Sequence, residues 1–307
     1  MSEQKIDKGV EASLKSLDTE EFIDIHFYRP IGYRWALFFQ KLGVSPNAIT
    51  FAGIFLGIAA GIMFYFPDLK LNILGMLLLV WANSYDSADG QLARLTGQKT
   101  ELGRMLDGLS GDVWFISIYF CLCMRLTSDY SYGIWILAAV TGYFHSKQAA
   151  MADYYRNIHL YFFKGKSGSE FDRSAQQYEQ FRDLSWKGNL WRKLFLYSYG
   201  SYTASQEQFS PKFQRFFVAV EKRYGDNIPQ SLRESFRAMS KPLMKYTNIL
   251  SFNTRVIALF ISLLLNLPWL YFVFEITVLN GLLVYMVLRH ESLSSVLYDR
   301  IKSDDRI

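Results

Sequence analysis

Four aspartates, Asp86, Asp89, Asp107 and Asp112, stand within one short stretch of this chain. On a helix, Asp86, Asp89, Gly90, Ala93 and Arg94 share one face, because their offsets are three, four, seven and eight residues. Gly103 and Asp107 are four apart on the following helix, so a third carboxylate can meet the first two. Like charges gathered in this way call for a cation. An all-oxygen set suits a hard ion such as Mg2+ or Mn2+.

The elements that must hold these acids are membrane spans. Half of the 307 residues are hydrophobic and 17% are aromatic, which is rich for a soluble protein. Six apolar runs approach the roughly 20 residues needed to cross a bilayer: 48–66, 71–86, 102–126, 134–152, 250–267 and 270–288. The expected fold is therefore an all-α integral membrane protein of six transmembrane helices, with an N-terminal interfacial amphipathic helix at 31–42 and a cytoplasmic helical insert between spans four and five. Its parts are 1–43, the cytoplasmic N-terminus and interfacial helix; 44–160, spans one to four with the site; 161–247, the insert; 248–290, the last two spans; and 291–307, a polar tail. Within the insert, 211–223 and 230–245 have helical spacing of apolar residues, as helices lying on a bilayer would.

An ionisable group inside a span costs roughly 2.5–3.5 kcal/mol on insertion scales, so a cluster of them at span ends reads as functional. Lys and Arg fall almost wholly on one side of the six-span topology. That side is read as cytoplasm, with both termini and the acids facing it, in a bacterial inner membrane or its equivalent. The excess of 33 basic over 28 acidic residues, net +5, then fits lipid headgroups rather than nucleic acid. Cys121 and Cys123 lie in an apolar run and read as small hydrophobes, while His145 reads as a helix-packing residue. Gly53, Gly57 and Gly61 recur at intervals of four, which allows close helix packing and suggests a homodimer.

The acidic run resembles the signature of the CDP-alcohol phosphotransferase family, D-x2-D-G-x2-A-R-x8-G-x3-D-x3-D. Asp86, Asp89, Gly90, Ala93, Arg94, Gly103 and Asp107 match it in identity and spacing. The resemblance covers roughly 31–152, including the Ser45-Pro46-Asn47 entry to the first span, and leaves the insert uncovered. It implies that a hydroxyl acceptor attacks a CDP-alcohol and CMP leaves, assisted by a two-metal site of Mg2+ or Mn2+. It also implies that Asp86, Asp89 and Asp107 are metal ligands and that Gly90, Ala93, Arg94 and Gly103 border the nucleotide.

The family's fourth aspartate, a metal ligand and the base for the acceptor's proton, would fall at position 111, where this chain has glycine. Asp112 comes one residue late. An offset of five turns a side chain about 140° from Asp107, so a π-bulge near Gly108 and Gly111 is expected to return Asp112 to the cleft, where it serves as metal ligand and base. Lys147 and Arg156 stand where relatives with phosphate-bearing acceptors carry basic residues, and they could equally snorkel to lipid phosphates.

The expected activity is transfer of a phosphatidyl group from CDP-diacylglycerol to a polar alcohol, of inositol or inositol phosphate type, with glycerol phosphate also possible. Three readings stand beside it. One is transfer from a CDP-choline or CDP-ethanolamine donor to a lipid alcohol. Another is an ion-coupled transporter whose buried acids relay cations, and the third is a non-catalytic relative kept for binding.

Overall fold

The computed structural model of the protein describes residues 16–98 and 100–304, without the side chains of residues 101, 102, 104, 105, 107 and 304. Among the described residues every regular element is helical. A π-helical turn, Asp24–Tyr28, leads into α1, Arg29–Lys41; then follow α2, Pro46–Tyr65; α3, Leu69–Thr96; α4, Glu101–Tyr130; and α5, Gly133–Lys164. Shorter helices come next: α6, Ser174–Asp183; α7, Leu190–Gln208; α8, Pro211–Tyr224; α9, Gln230–Ser240; and α10, Met244–Ile249. The chain ends through α11, Phe252–Leu264; α12, Trp269–Phe274; a π-helical turn, Glu275–Leu279; and α13, Asn280–Asp304.

The local chemistry sets several of these boundaries. Ser45 accepts from the Ala48 N–H and Pro46 occupies the first turn of α2, where a missing N–H costs nothing. Asp68 accepts from Leu71 N at 3.0 Å to start α3, and Thr100 accepts from Gly103 N at 2.9 Å to start α4. Gly97 ends α3 at φ 69°, a left-handed conformation natural to glycine.

Four stretches among the described residues are long and apolar enough to cross a membrane: Pro46–Tyr65, Gly108–Tyr130, Gln230–Leu264 and Trp269–Ser303. Each overlaps one of the six expected spans, although Gln230–Leu264 begins within the expected insert and Trp269–Ser303 runs on into the expected tail. The other two, 71–86 and 134–152, lie in α3 and α5, which are long but do not reach the same apolarity. The physical reason is dilution. Asn72, Asn83, Ser84 and Asp86 interrupt α3, and His145, Lys147 and Gln148 interrupt α5.

The chain forms two compact units, one of residues up to His145 with Asn253–Thr277, the other of Ser146–Phe252 with residues from Val278. In the first, Ala36 of α1 is fully buried against Ile49, Ala88 and Leu92, with Trp35 and Phe39 packed beside them. The glycine ladder is used within the chain. A Cβ at Gly57 would come within 2.0 Å of Trp114 Cδ1, and one at Gly61 within 2.5 Å of Ser117 Oγ. Gly57→Ala is therefore expected to destabilise the protein by about 1–3 kcal/mol through overpacking. Thermal unfolding in detergent should show the drop in Gly57→Ala and none in Gly108→Ala, where a Cβ meets nothing within 4 Å.

In the second unit the expected bilayer-lying helices bury their apolar faces in protein. Phe213, Phe216 and Phe217 of α8 and Phe236 of α9 are buried, and Phe236 stacks on Phe162 of α5 with centroids 4.0 Å apart. Glu291 of α13 accepts from the backbone N–H of Lys212 and Phe213, at 2.7 and 3.1 Å, and so caps α8. Amphipathic spacing there marked an internal face, not a lipid-facing one.

Candidate functional site

Asp86 and Asp89 lie one helical turn apart on α3, in the first unit. Each takes a hydroxyl from a flanking helix. Thr50 of α2 donates to Asp89 Oδ2 at 2.5 Å, and Ser110 of α4 donates to Asp86 Oδ1 at 2.9 Å. Asp89 is 3% exposed, whereas Asp86 is half-buried. A buried carboxylate needs hydrogen bonds or a cation, and the two hydroxyls also fix the direction in which each carboxylate points. Neither Thr50 nor Ser110 was anticipated. For Thr50 the available signal was a lone aliphatic hydroxyl on the otherwise apolar α2, whereas Ser110 stands among other polar residues of α4 and offered none.

The small residues of the motif divide by what they touch. A Cβ at Gly103 would lie 2.9 Å from Asn47 Oδ1 and 3.0 Å from Thr100 Oγ1, so packing of the protein's own helix ends accounts for that glycine. A Cβ at Gly90 would meet only Arg94, with Nη1 at 3.5 Å, so the Arg94 side chain runs back along α3 over Gly90. Ala93 is half-buried on the same helix. That arrangement leaves a guanidinium beside the acidic face, suited to a phosphate.

The donor set consists of carboxylate and hydroxyl oxygens, which fits a hard divalent ion and not a soft one. No group of three His, Cys, Asp or Glu side chains gathers among the described residues. Asp107, the third expected ligand, has its side chain outside the described residues; its position precedes Ser110 and Trp114 by three and seven residues on α4.

The π-bulge expected near Gly108 is absent, and α4 is α-helical throughout. Adjacent residues of an α-helix differ by about 100° in direction. Asp112 therefore falls on the face of Phe115 and Tyr119, three and seven residues on, and not on that of Ser110 and Trp114. Phe115 packs on His145 with ring centroids 4.4 Å apart, and Asp112 lies within electrostatic reach of the same histidine. Two anchors hold this register: Trp114 against Gly57 on one face and Phe115 against His145 on the other. An extra residue in the turn before them would swing both off their seats.

His145 is more than a packing residue. Its Nδ1 lies 3.2 Å from Glu275 Oε2 and 3.0 Å from both Tyr119 OH and Arg255 Nη1. Arg255 donates to Glu275 Oε2 at 2.8 Å, as does Tyr119, and Tyr271 donates to Oε1 of the same carboxylate. Arg255 and Glu275 are 2% and 0% exposed in their side chains. This buried ion pair joins α11 and the end of α12 to α4 and α5. Sequence spacing held no sign of it.

Lys147 and Arg156 belong to the second unit. Lys147 donates to Ser205 Oγ at 2.6 Å, and Arg156 to Ser251 Oγ at 2.8 Å and Asn248 Oδ1 at 3.5 Å. Both side chains thus reach neutral hydrogen-bonding groups of the same unit.

Residues 43–153 match the family model of CDP-alcohol phosphatidyltransferases. Over 70 residues the chain is 47% identical to an uncharacterised protein of Aquifex aeolicus, covering 23% of this chain and 34% of the relative. Over 84 residues it is 32% identical to the archaetidylinositol phosphate synthase of Pyrococcus horikoshii, covering 27% of this chain and 43% of the relative. The chain thus spans less than half the length of these curated relatives. No solved structure matches it.

Proposed function

We propose, on the premise that residues 43–153 carry a CDP-alcohol phosphatidyltransferase domain, that the protein transfers a phosphatidyl group from CDP-diacylglycerol to a phosphorylated polyol. The acceptor's hydroxyl oxygen bonds to the phosphorus that bears the diacylglycerol, the bond from that phosphorus to the CMP oxygen breaks, and CMP leaves. The observation that carries this reading is the pair Asp86 and Asp89, each aimed by a hydroxyl from a neighbouring helix.

Asp86, Asp89 and Asp107 would hold one or two divalent ions, Mg2+ or Mn2+. When bound, such ions neutralise the diphosphate and stabilise the attacking and leaving oxygens. Arg94, lying over Gly90, would pair with a phosphate oxygen of the donor, and Ala93 and Gly103 would border the nucleotide. Thr50 and Ser110 would keep the carboxylates oriented. An inositol-phosphate acceptor is supported by the name of the Pyrococcus relative, and Lys147 and Arg156 are assigned to that acceptor's phosphate. In the membrane, α3 and α5 would cross beside the four apolar stretches, giving six spans after an interfacial α1. The basic residues would place the site and both termini in the cytoplasm. Association into a homodimer belongs to the same reading.

With Asp112 on the face of His145, the acceptor's proton is assigned to water. Asp112→Asn is then expected to lower turnover less than tenfold, and a loss as large as at Asp89 would reinstate Asp112 as the base. Gly111→Asp, for which the surrounding space is open, should raise turnover by at least about tenfold, because a positioned general base contributes 10²–10⁴ where water serves poorly. The deciding assay measures CMP release by purified protein given CDP-diacylglycerol, Mg2+ or Mn2+, and inositol phosphate, glycerol phosphate, free inositol or serine. CMP release that depends on a phosphorylated polyol is expected. No release with any acceptor would overturn the activity.

A further inference from the structure

The apolar faces of α8 and α9 are turned inward, but the start of α7 is built the other way. Leu190, Trp191, Leu194 and Tyr197 follow one another at offsets of one, four and seven residues, which places them in a single stripe, and all are exposed. Trp191 is 82% exposed and Trp186, in the loop just before, 56%. Water is a poor solvent for such a stripe, and contiguous exposed apolar surface marks a contact site.

The stripe is held rigidly. Lys193 is buried behind it, donates to Leu184 O at 2.7 Å, and lies over the rings of Phe181 and Trp186 at 4.4 and 4.7 Å. Its ammonium thereby ties the loop carrying Trp186 to the first turn of α7. Seven residues on, along the same face as Lys193, Gly200 lets Tyr178 of α6 approach closely, so the two helices form a packed hairpin.

We propose that this hairpin edge, Trp186 with Leu190, Trp191, Leu194 and Tyr197, is a monotopic anchor that inserts into the interface of an anionic lipid bilayer. Three features select lipid over protein. Trp and Tyr carry an apolar body and a polar edge, which suits the headgroup boundary. The exposed charges between residues 182 and 192 are Arg182, Lys187 and Arg192 against Asp183 alone, complementary to anionic headgroups. The same chain carries four stretches apolar enough to cross a membrane, which brings a bilayer to it. The anchor does not depend on the transferase reading.

The test uses the full chain reconstituted into vesicles of phosphatidylcholine with or without phosphatidylglycerol. A polarity-sensitive fluorophore is placed at position 191 (Trp191→Cys in a Cys121→Ser, Cys123→Ser background) and, as control, at the exposed Lys222 of α8 (Lys222→Cys). In anionic vesicles the label at 191 is expected to shift to shorter wavelength and to be quenched by doxyl-labelled lipid several-fold more than the label at 222. Adding Lys187→Glu and Arg192→Glu should weaken that quenching. In the chain with its cysteines intact, brominated lipid should quench tryptophan emission, and the quenched part should fall in Trp186→Phe/Trp191→Phe. Equal quenching at 191 and 222 would overturn the proposal. So would a label shielded already in detergent and untouched by lipid quencher, the signature of a protein partner or a second copy.

Discussion

Asp89→Asn is expected to reduce CMP release by at least about 100-fold while leaving thermal unfolding nearly unchanged. Loss of a group that merely supports a metal ligand costs 10–100-fold in affinity or activity, so loss of a ligand's charge must cost more. Asn keeps the shape, and its amide oxygen can still accept from the Thr50 hydroxyl that now meets Asp89 Oδ2. The substitution thus removes charge without opening a cavity. Thr50→Val is the companion. It leaves the carboxylate in place but undirected, and a loss of about 10–100-fold is expected. CMP release at varied Mg2+ or Mn2+ separates the two, because Thr50→Val should recover partly at high metal and Asp89→Asn should not. Activity of Asp89→Asn within tenfold of the unsubstituted protein would remove Asp89 from the metal site.

Glu275→Ala is expected to destabilise the fold by about 3–5 kcal/mol, the usual consequence of leaving one member of a buried ion pair without its partner. Glu275 accepts from Arg255, Tyr119 and Tyr271, and it faces His145, so its removal strands a guanidinium whose side chain is 2% exposed. Replacing both charges, in Arg255→Met/Glu275→Leu, should recover most of the loss, since well-packed apolar groups can substitute for such a pair at little cost. Unfolding in detergent of the unsubstituted protein, Arg255→Met, Glu275→Leu and the double variant gives the coupling directly. A single Glu275→Ala loss below about 1 kcal/mol, within the range of exposed pairs, would show that the network does not hold α11 and α12 to α4 and α5.

Much of the site was legible because it is local. Asp86, Asp89, Gly90, Ala93 and Arg94 occupy one stretch of helix, so the 3.6-residue period alone places them on one face. The starts of α2, α3 and α4 were likewise written in Ser45-Pro46, Asp68 and Thr100, whose side chains cap the turns that follow. Apolar run length identified the four stretches that reach membrane-crossing length and apolarity. It also marked α3 and α5, where polar residues dilute the run.

What the sequence by itself determined, then, was the helices, the acidic face and the resemblance carried by its spacing. Only the tertiary structure decided which groups complete that face, because Thr50 meets Asp89 across 39 residues and Ser110 meets Asp86 across 24. It also decided the direction of Asp112. Local propensity permits either a regular turn or a bulge between two glycines, and the seating of Trp114 on Gly57 and Phe115 on His145 selects the regular one. Helical periodicity reports that a helix has an apolar face but carries no information on what covers it. Hence α8 and α9 turned inward onto phenylalanines, while the stripe on α7 was left exposed.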